Sequence, residues 1–534
     1  MIKRLIALSL SLIMLVTLFS GCSLFKNAEF HIGFIDEIES LDPLKATGDA
    51  ETMAAINCFE GLLKFNQNGE IVLSGATKYS ISGDGLTYTF SLNPKAIWYV
   101  AELNEGILTE NDFDSRVTAH DYVYTIKKVI KEKLKGYENY SYIRGVKEYY
   151  EGIGDLDSIL VTALDDFTLE IILVEPHSEI LSTLAESSGA PSSENFASLV
   201  EGVYGTTAST IICNGPYYIA ECNKGKNLVL KRNPKYKGRT KACNAQITMK
   251  LEKKQKNVVA GFASNSYDML LTDSANRIEN PNGKIAPVTN TVWGIVSNCS
   301  KEIMKNENLR KALLSSIDYS VISTPRFATG IATGVVAPDY LVTTRHYSIH
   351  SVDNVGFDTS VDKAKEYMVL ASTQIKESID LTIYVPESLE NSMKIICNGW
   401  KDLFGSNITT TIVTFDPNDY ETVIEENNYH LAILPIVSES STAVSVLRSI
   451  HSAPCNFTDN AYESLLRAAE VSLKEQQKAT AINECEKYIV SHGVVVPLYL
   501  ASNDIYLNDG VTGIYSTTAK DAVYFNLGDK KSVN

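Results

Sequence analysis

Residues 40–71 read "SLDPLKATGDAETMAAINCFEGLLKFNQNGEI", and this segment contains two of the motifs that decide the fold. Its S-L-D-P start is typical of a turn, because Asp and Pro favour tight changes of chain direction. Its F-E-G-L block, residues 59–62, is typical of the packed end of a helix. Each block alone predicts only local structure. The fold therefore depends on which blocks follow, and in what order.

Strand patterns follow in the first half of the chain. Residues 82–92, "SGDGLTYTFSL", place a Gly-Asp-Gly turn before a run in which every second residue from Leu86 to Leu92 is apolar. Such alternation is typical of a half-buried strand that leaves a tight turn. Residues 165–173, "DDFTLEIIL", and 225–233, "GKNLVLKRN", show the same pattern.

Helical patterns lie between and after these strands. Residues 118–134, "TAHDYVYTIKKVIKEKL", combine a cap at Thr118 with one apolar stripe, and residues 306–318 carry a second stripe. Residues 459–493 are long enough for two helices, after which "VVVPLYL" predicts another strand. Strands and helices mixed in this order predict an α/β or α+β protein.

The N-terminus predicts export. Residues 1–22, "MIKRLIALSLSLIMLVTLFSGC", have a positive start, an apolar run and small residues before Cys22. The end "FSGC" resembles a bacterial lipobox, although Phe19 stands where that motif usually has Leu. We therefore expect a signal peptide at 1–21, a lipid on Cys22 and a tether at 22–28. An ordinary signal peptide and an uncleaved anchor are the alternatives, and the apolar run is shorter than the about 20 residues that span a bilayer.

Length and charge narrow the class of protein further. The chain has 534 residues, more than one hydrophobic core usually organises, so we expect two or three domains. Its formal net charge of -16 argues against nucleic acid and against a basic membrane-binding face. The eight cysteines after Cys22 form no C-x-x-C pair. Free thiols and a disulfide among Cys213, Cys222 and Cys243 both remain open.

The sequence contains no recognisable catalytic signature. It has no G-x-S-x-G elbow, no S-x-x-K accompanied by S-D-N and K-T-G, no H-E-x-x-H and no glycine-rich phosphate loop. The closest pair of histidines, His346 and His350, lacks a helical stripe and a nearby third ligand for a metal. We therefore predict a protein that is not an enzyme and has no metal and no cofactor.

The order of the blocks resembles family 5 of the extracytoplasmic solute-binding proteins, the oligopeptide- and dipeptide-binding lipoproteins of peptide-type ABC importers. The resemblance extends over most of the mature chain. The blocks that carry it are residues 40–71, "SGDGLTYTFSL", "VTAHDYVYTI", "CNGPYYIAECNKGKNLVLKRNPKYKG" from Cys213, "NLRKALLSSID", "WKDLFGSNITTTIV" from Trp400, "GVVVPLY" and "GVTGIY". No single block is specific, whereas their common order is.

The resemblance implies a two-lobed periplasmic-binding-protein-like fold, in which two crossing strands join the lobes and an extra domain is inserted in the first. Hinge closure would then bury a ligand between the lobes. The boundaries implied are 29–57 with 196–286 and 490–534 for lobe I, 58–195 for the extra domain, and 287–489 for lobe II.

The resemblance also implies a ligand site in "YHLAILPIVSES", residues 429–440. Peptide binders of the family carry there a strand followed by G-W-x-x-D, whose backbone pairs with the peptide and whose Asp takes the terminal amine. Here Pro435 and Ile436 replace Gly-Trp, Val437 follows them, and Glu439 falls on the Asp. A solvated loop acid is the other interpretation of Glu439.

Three more residues lie near segments that form the cleft or hinge in the family, namely Asn214, Tyr217 and Tyr142. Packing and turn formation are the alternative roles for each. The function implied is a monomeric, lipid-anchored receptor that captures oligopeptides outside the membrane and delivers them to ABC permease and ATPase subunits. A non-peptide solute such as a nickel chelate, haem or an oligosaccharide, the sensing of a peptide signal, and a secreted hydrolase are the alternatives.

Overall fold

The computed structural model describes residues 28–100, 114–272, 276, 278, 284–438, 440–518 and 522–530. Two residues that carry sequence predictions, Cys22 and Glu439, lie outside this part of the chain, as do the signal segment and nearly all of the tether. Lipidation at Cys22 and ligand binding at Glu439 therefore stay predictions.

Strands occur along the whole described chain. Their bounds are β1 Glu29–Phe34, β2 Leu63–Phe65, β3 Ile71–Leu73, β4 Ala76–Ile81, β5 Thr87–Leu92, β6 Val161–Asp165, β7 Thr168–Ile172, β8 Tyr217–Asn223, β9 Asn227–Arg232, β10 Gln246–Leu251, β11 Met269–Thr272, β12 Lys284–Ser297, β13 Gly330–Ile331, β14 Ile379–Pro386, β15 Ile408–Phe415, β16 Leu431–Ile436, β17 Val495–Leu507, β18 Val511–Thr512, β19 Tyr515–Ser516, β20 Val523–Tyr524 and β21 Asp529–Lys530. The strands predicted within residues 82–92, 165–173 and 225–233 are confirmed as β5, β7 and β9.

Helices alternate with these strands. Their bounds are α1 Asp49–Cys58, α2 Ala119–Glu132, α3 Val146–Tyr150, α4 Ile180–Thr183, α5 Glu194–Leu199, α6 Gln255–Ala263, α7 Glu307–Ser315, α8 Val361–Gln374, α9 Glu390–Phe404, α10 Tyr420–Glu426, α11 Ala443–Ser449, α12 Asn460–Val471 and α13 Glu475–Ser491. The predicted α/β class is confirmed, and so is the division of residues 459–493 into two helices.

One large sheet runs through the molecule in the order β15-β14-β16-β12-β17-β11-β1-β10-β9-β8, with β13 paired to β17 off this path. Its central pair, β12 and β17, is antiparallel, and its register shifts between Val288 and Thr291. On one side of this shift β17 also pairs with β11, and on the other side β12 also pairs with β16. Two long strands therefore cross from one part of the molecule to the other, as the resemblance implied.

A smaller antiparallel sheet, β4-β5-β7-β6, and helix α2 make up much of the extra domain. Tyr88 and Phe90 of β5 are fully buried, which is the face that the alternating sequence predicts. Thr118 stands at the N-cap of α2, where Asp121 accepts a hydrogen bond from its backbone N–H at 2.7 Å. This reciprocal cap explains why the helix begins at Ala119.

Two large hydrophobic cores divide the chain. The first joins lobe I residues such as Phe30 to extra-domain residues such as Tyr88. The second is built from residues between Val292 and Ala501. The extra domain thus shares its core with lobe I, whereas lobe II has its own. The names lobe I, extra domain and lobe II are used below for the ranges predicted from the sequence, whose exact boundaries stay a prediction.

Two further features concern the described residues alone. No helix among them combines the length and the apolar character needed to cross a bilayer. The eight cysteines after Cys22 all lie in the described part of the chain, and none of them forms a disulfide in this structure, with Cys243 exposed and Cys222 partly exposed.

Candidate ligand-binding cleft

Strand ends from both lobes meet beside the crossing strands. In lobe I, β1 runs parallel to β10 and β11, and β11 ends with Thr272 opposite Asp504 of β17. In lobe II, β16 ends with Ile436 opposite Val292 of β12. All these carboxyl ends therefore point toward the register shift in the β12–β17 pair. Crevices at the carboxyl ends of parallel strands are where open α/β sheets bind ligands.

An acidic cavity forms the lobe I side of this crevice. It has a volume of about 700 Å³ and lies between the segment after β1, the start of α1 and the end of the extra domain. The charged residues in its lining are Asp36, Glu37, Glu39, Asp49, Glu186 and Lys135. Five acidic side chains thus share the lining with one ammonium group. This balance favours a ligand that carries positive charge.

Glu186 connects this cavity to lobe II. Its Oε1 accepts hydrogen bonds from the backbone N–H of Ser441 at 3.3 Å and from the Ser441 hydroxyl at 2.8 Å. Burial raises the pKa of Glu186 to about 7, while the two bonds from Ser441 oppose that rise. Ser441 follows β16 by only five residues, so Glu186 joins the acidic cavity to the segment after β16.

The predicted residues of β16 lie in this crevice. Pro435 and Ile436 are buried and pair with Trp293 and Val292 of β12, and Val437 directly follows the strand. On its other side β16 pairs with β14 only at its first two residues. Among the described residues, no strand pairs with positions 433–436 on that side. This edge is where an extended ligand can add as a further strand.

Asn214 and Tyr217 take part in packing. Asn214 accepts a hydrogen bond from the backbone N–H of Glu60 at 2.8 Å and donates to the carbonyl of Glu60 at 3.0 Å. The hydroxyl of Tyr217 donates to the carbonyl of Phe525 at 3.1 Å, and burial raises its pKa. Tyr217 thus holds two parts of lobe I together, whereas Asn214 joins lobe I to the extra domain, and the roles of both as ligand contacts stay predictions.

Tyr142 lies at a different interface. Its ring stacks on His177 with 3.4 Å between the ring centroids, in the extra domain and facing lobe II. A contact between Tyr142 and a ligand stays a prediction. The structure does not bring Tyr142, Asn214 and β16 together into one cluster, because each bonds to a different part of the chain.

Glu186 is the functional candidate that the sequence analysis missed. It lies in "LAESSGAP", a segment with no motif, and its partner Ser441 is 255 residues away. A hydrogen bond over that separation leaves no local periodicity from which it can be inferred. Among the described residues, no group of three or more metal-binding side chains is close enough to hold an ion.

Comparisons with known proteins agree with this fold. The chain is 24% identical over 535 residues to the periplasmic murein peptide-binding protein MppA of Escherichia coli, with 95% of this chain and 94% of MppA covered. Its fold matches Listeria monocytogenes OppA bound to peptide with a TM-score of 0.64 and 17% identity, over 95% of this chain and 100% of that one. The substrate-binding domain of an oligopeptide ABC transporter from Bacillus anthracis gives a TM-score of 0.63 and 17% identity, over 95% and 99%.

The family model described as "Bacterial extracellular solute-binding proteins, family 5 Middle" matches residues 70–456, which is more than half of the chain. These relatives are binding proteins rather than enzymes. The match includes the whole extra-domain sheet and β12, β14, β15 and β16, and so the lobe II side of the cleft together with Glu186. The chain therefore belongs to the family 5 bacterial extracellular solute-binding proteins.

Proposed function

We propose that this protein is a lipid-anchored extracytoplasmic receptor that captures oligopeptides in the cleft between its lobes and delivers them to an ABC importer. The names of its relatives support this proposal: MppA is a murein peptide-binding protein, and the Bacillus anthracis protein is the substrate-binding domain of an oligopeptide transporter. Capture and delivery need no chemical step on the ligand. Hydrolysis of ATP belongs to separate subunits.

The observation that best supports a peptide ligand is the edge of β16 at positions 433–436, with which no described strand pairs. A peptide in extended form offers backbone N–H and C=O groups to that edge, whatever its side chains are. Its terminal ammonium needs a carboxylate if it is buried, and Glu439 follows β16 by three residues. Pro435 contributes no N–H to such pairing, so the peptide contacts at that position must come from its neighbours.

Membrane attachment is the second part of the proposal. The lipobox-like end of the signal segment supports a diacylglyceryl group on Cys22, and two acyl chains anchor a protein stably. Mass spectrometry of the N-terminal peptide tests this directly. A lipid-modified Cys22 in the wild type, absent from Cys22→Ala, supports the anchor, whereas an unmodified N-terminus contradicts it.

The decisive experiment on the ligand is native mass spectrometry of the chain without its signal segment, purified without denaturation. Whatever it carries is then released by denaturation and sequenced. A ladder of short peptides supports oligopeptide capture. A single non-peptide mass contradicts it and favours the alternative in which the same fold holds a nickel chelate, haem or an oligosaccharide.

A receptor that senses peptides without importing them differs from this proposal only in its partners. Uptake of a labelled peptide by cells with and without the gene separates the two. Loss of uptake in the deletion strain supports delivery to an importer, and unchanged uptake contradicts it.

A further inference from the structure

The extra domain faces lobe II through buried and half-buried charged side chains, which we call the interdomain charge cluster. The extra domain contributes the segment between β7 and α4, and lobe II contributes α11, α12 and α13. The members of the cluster are Glu175, His177 and Glu179 on the first side and Arg448, Arg467, Glu470 and Lys478 on the second.

Two arginines of lobe II reach across to the extra domain. Arg448 places Nη2 3.3 Å from Glu179 Oε2 and 2.7 Å from Glu470 Oε1. Arg467 pairs with Glu175 through both terminal guanidinium nitrogens, a two-pronged geometry that fixes orientation as well as distance. Glu470 thus belongs to lobe II but helps to hold the arginine that crosses.

Lys478 lies at the centre of the cluster and is fully buried. Its Nζ donates to the hydroxyl of Ser178 at 2.8 Å and lies 4.0 Å from Glu179 Oε1, both in the extra domain. His177 places Nε2 3.3 Å from Glu179 Oε2. A buried ammonium group without such partners is costly. The partners of Lys478 therefore stabilise the contact between the extra domain and lobe II.

The two sides of the cluster have complementary charge. With His177 neutral, the extra-domain side carries two carboxylates and a charge of −2. The lobe II side carries three cations and one carboxylate, which gives a charge of +2. If the two sides were separated, each would carry an excess of charge of one sign. Electrostatic attraction therefore favours the state in which the extra-domain side and the lobe II side are in contact.

We propose that the interdomain charge cluster is a clasp that holds lobe II against the extra domain in the arrangement seen in this structure, an inference that rests on the proposed receptor function. The extra domain shares its core with lobe I, so a hinge at the β12–β17 crossing moves lobe II relative to both. The clasp lies outside the acidic cavity and none of its members lines it. It therefore contributes to the free energy of the hinge motion, and through it to the apparent affinity of the receptor, without contacting the ligand.

Charge reversal tests the clasp at its most exposed pair, Glu175 and Arg467, where folding is least at risk. The variants are Glu175→Arg, Arg467→Glu and the double variant, in the full mature chain. Lys487→Glu is the control, because it makes the same charge change as Arg467→Glu at a pair with Asp353 that lies within lobe II. The readouts are the radius of gyration by small-angle X-ray scattering without ligand and the dissociation constant for tri-lysine.

We expect each single variant to have a larger radius of gyration and about two- to fivefold weaker affinity, the effect of one partly exposed ion pair. The double variant should recover both values, and the control should match the wild type. Single variants that equal the control in both readouts would overturn the clasp and leave the receptor function standing. A shifted and rescued radius of gyration with no peptide binding by any variant would support the clasp and contradict the oligopeptide ligand.

Discussion

At the residue scale, Glu186 combines two roles that depend on its protonation state. As a carboxylate it adds charge to the acidic cavity, and as an acceptor it holds Ser441 of lobe II. Burial raises its pKa from 4.5 to about 7 in the folded protein. The folded state therefore binds a proton more tightly than the unfolded state between these two pH values.

This pKa predicts a pH dependence of stability. The free energy of unfolding contributed by Glu186 should be greatest below pH 4.5 and should fall as the pH rises toward about 7. Glu186→Gln keeps an acceptor for Ser441 but removes the titration, so its stability should depend less steeply on pH across that range. Urea unfolding at several pH values measures the difference. Glu201→Gln, an exposed change in the same charge, is the control, and equal slopes in all three proteins would contradict the prediction.

Glu439 carries the second prediction at this scale. If its carboxylate pairs with a buried terminal amine, Glu439→Gln should weaken the binding of tri-lysine by about 2 to 5 kcal/mol. Wild type and variant should bind N-acetyl tri-lysine equally, because that peptide has no terminal ammonium to pair with the carboxylate. Calorimetric titration with both peptides measures the effect. Wild-type protein that binds the acetylated and the free peptide with equal affinity would contradict the pairing.

At the element scale, α13 anchors a long irregular segment of lobe II through Glu486. This fully buried side chain accepts the backbone N–H groups of Val335 and Val336 at 2.7 and 2.8 Å, and the hydroxyl of Tyr347 at 2.6 Å. A segment with little secondary structure has few backbone partners of its own. Glu486 supplies them from the helix.

Removal of this anchor should cost stability. Glu486→Ala leaves three buried donors without an acceptor, and each costs about 1 to 3 kcal/mol, so we expect the free energy of unfolding to fall by about 3 kcal/mol or more. Glu484→Ala changes an exposed glutamate on the same helix and should stay within about 0.5 kcal/mol of the wild type. Denaturant unfolding of the three proteins measures both values, and similar losses for the two variants would show that the anchor contributes little.

Individual helices and strands differ in how far they can be predicted from the sequence. The alternation within β7 and the Thr118 cap of α2 depend on residues a few positions apart, so the local sequence pattern was sufficient to predict both. The "VVVPLYL" pattern predicted only the first part of β17, which continues to Leu507. Its later half is polar in places and becomes a strand because β11 and β12 pair with it from distant parts of the chain.

At the scale of the whole molecule, the arrangement of the lobes followed from the order of the family motifs, but their contacts did not. Lys478 and Ser178 are 300 residues apart, and Arg467 and Glu175 are 292 apart. In sequence these residues are ordinary charged positions on helices and turns. Only the fold brings them together, so the clasp and the Glu186 contact had no local signal.

These contacts allow lobe II to be fixed against the extra domain. The hydroxyl oxygens of Ser178 and Thr343 lie 3.5 Å apart across the interface, and the longer bonds of sulfur reduce such a gap toward the about 2 Å of a disulfide. Oxidised Ser178→Cys/Thr343→Cys protein should therefore hold lobe II against the extra domain. Tri-lysine bound before oxidation should leave more slowly than from the same protein after reduction, because release requires the hinge to open.

Release of fluorescent tri-lysine into an excess of unlabelled peptide measures this effect. Ser178→Cys alone is the matched control, because it undergoes the same oxidation without a partner at position 343. Mass analysis after proteolysis must show the bridge between positions 178 and 343 rather than one to a native thiol such as the exposed Cys243. Equal release rates from the bridged and the reduced protein would mean that peptide leaves without separation of the extra domain from lobe II, and the hinge mechanism would then not apply to this protein.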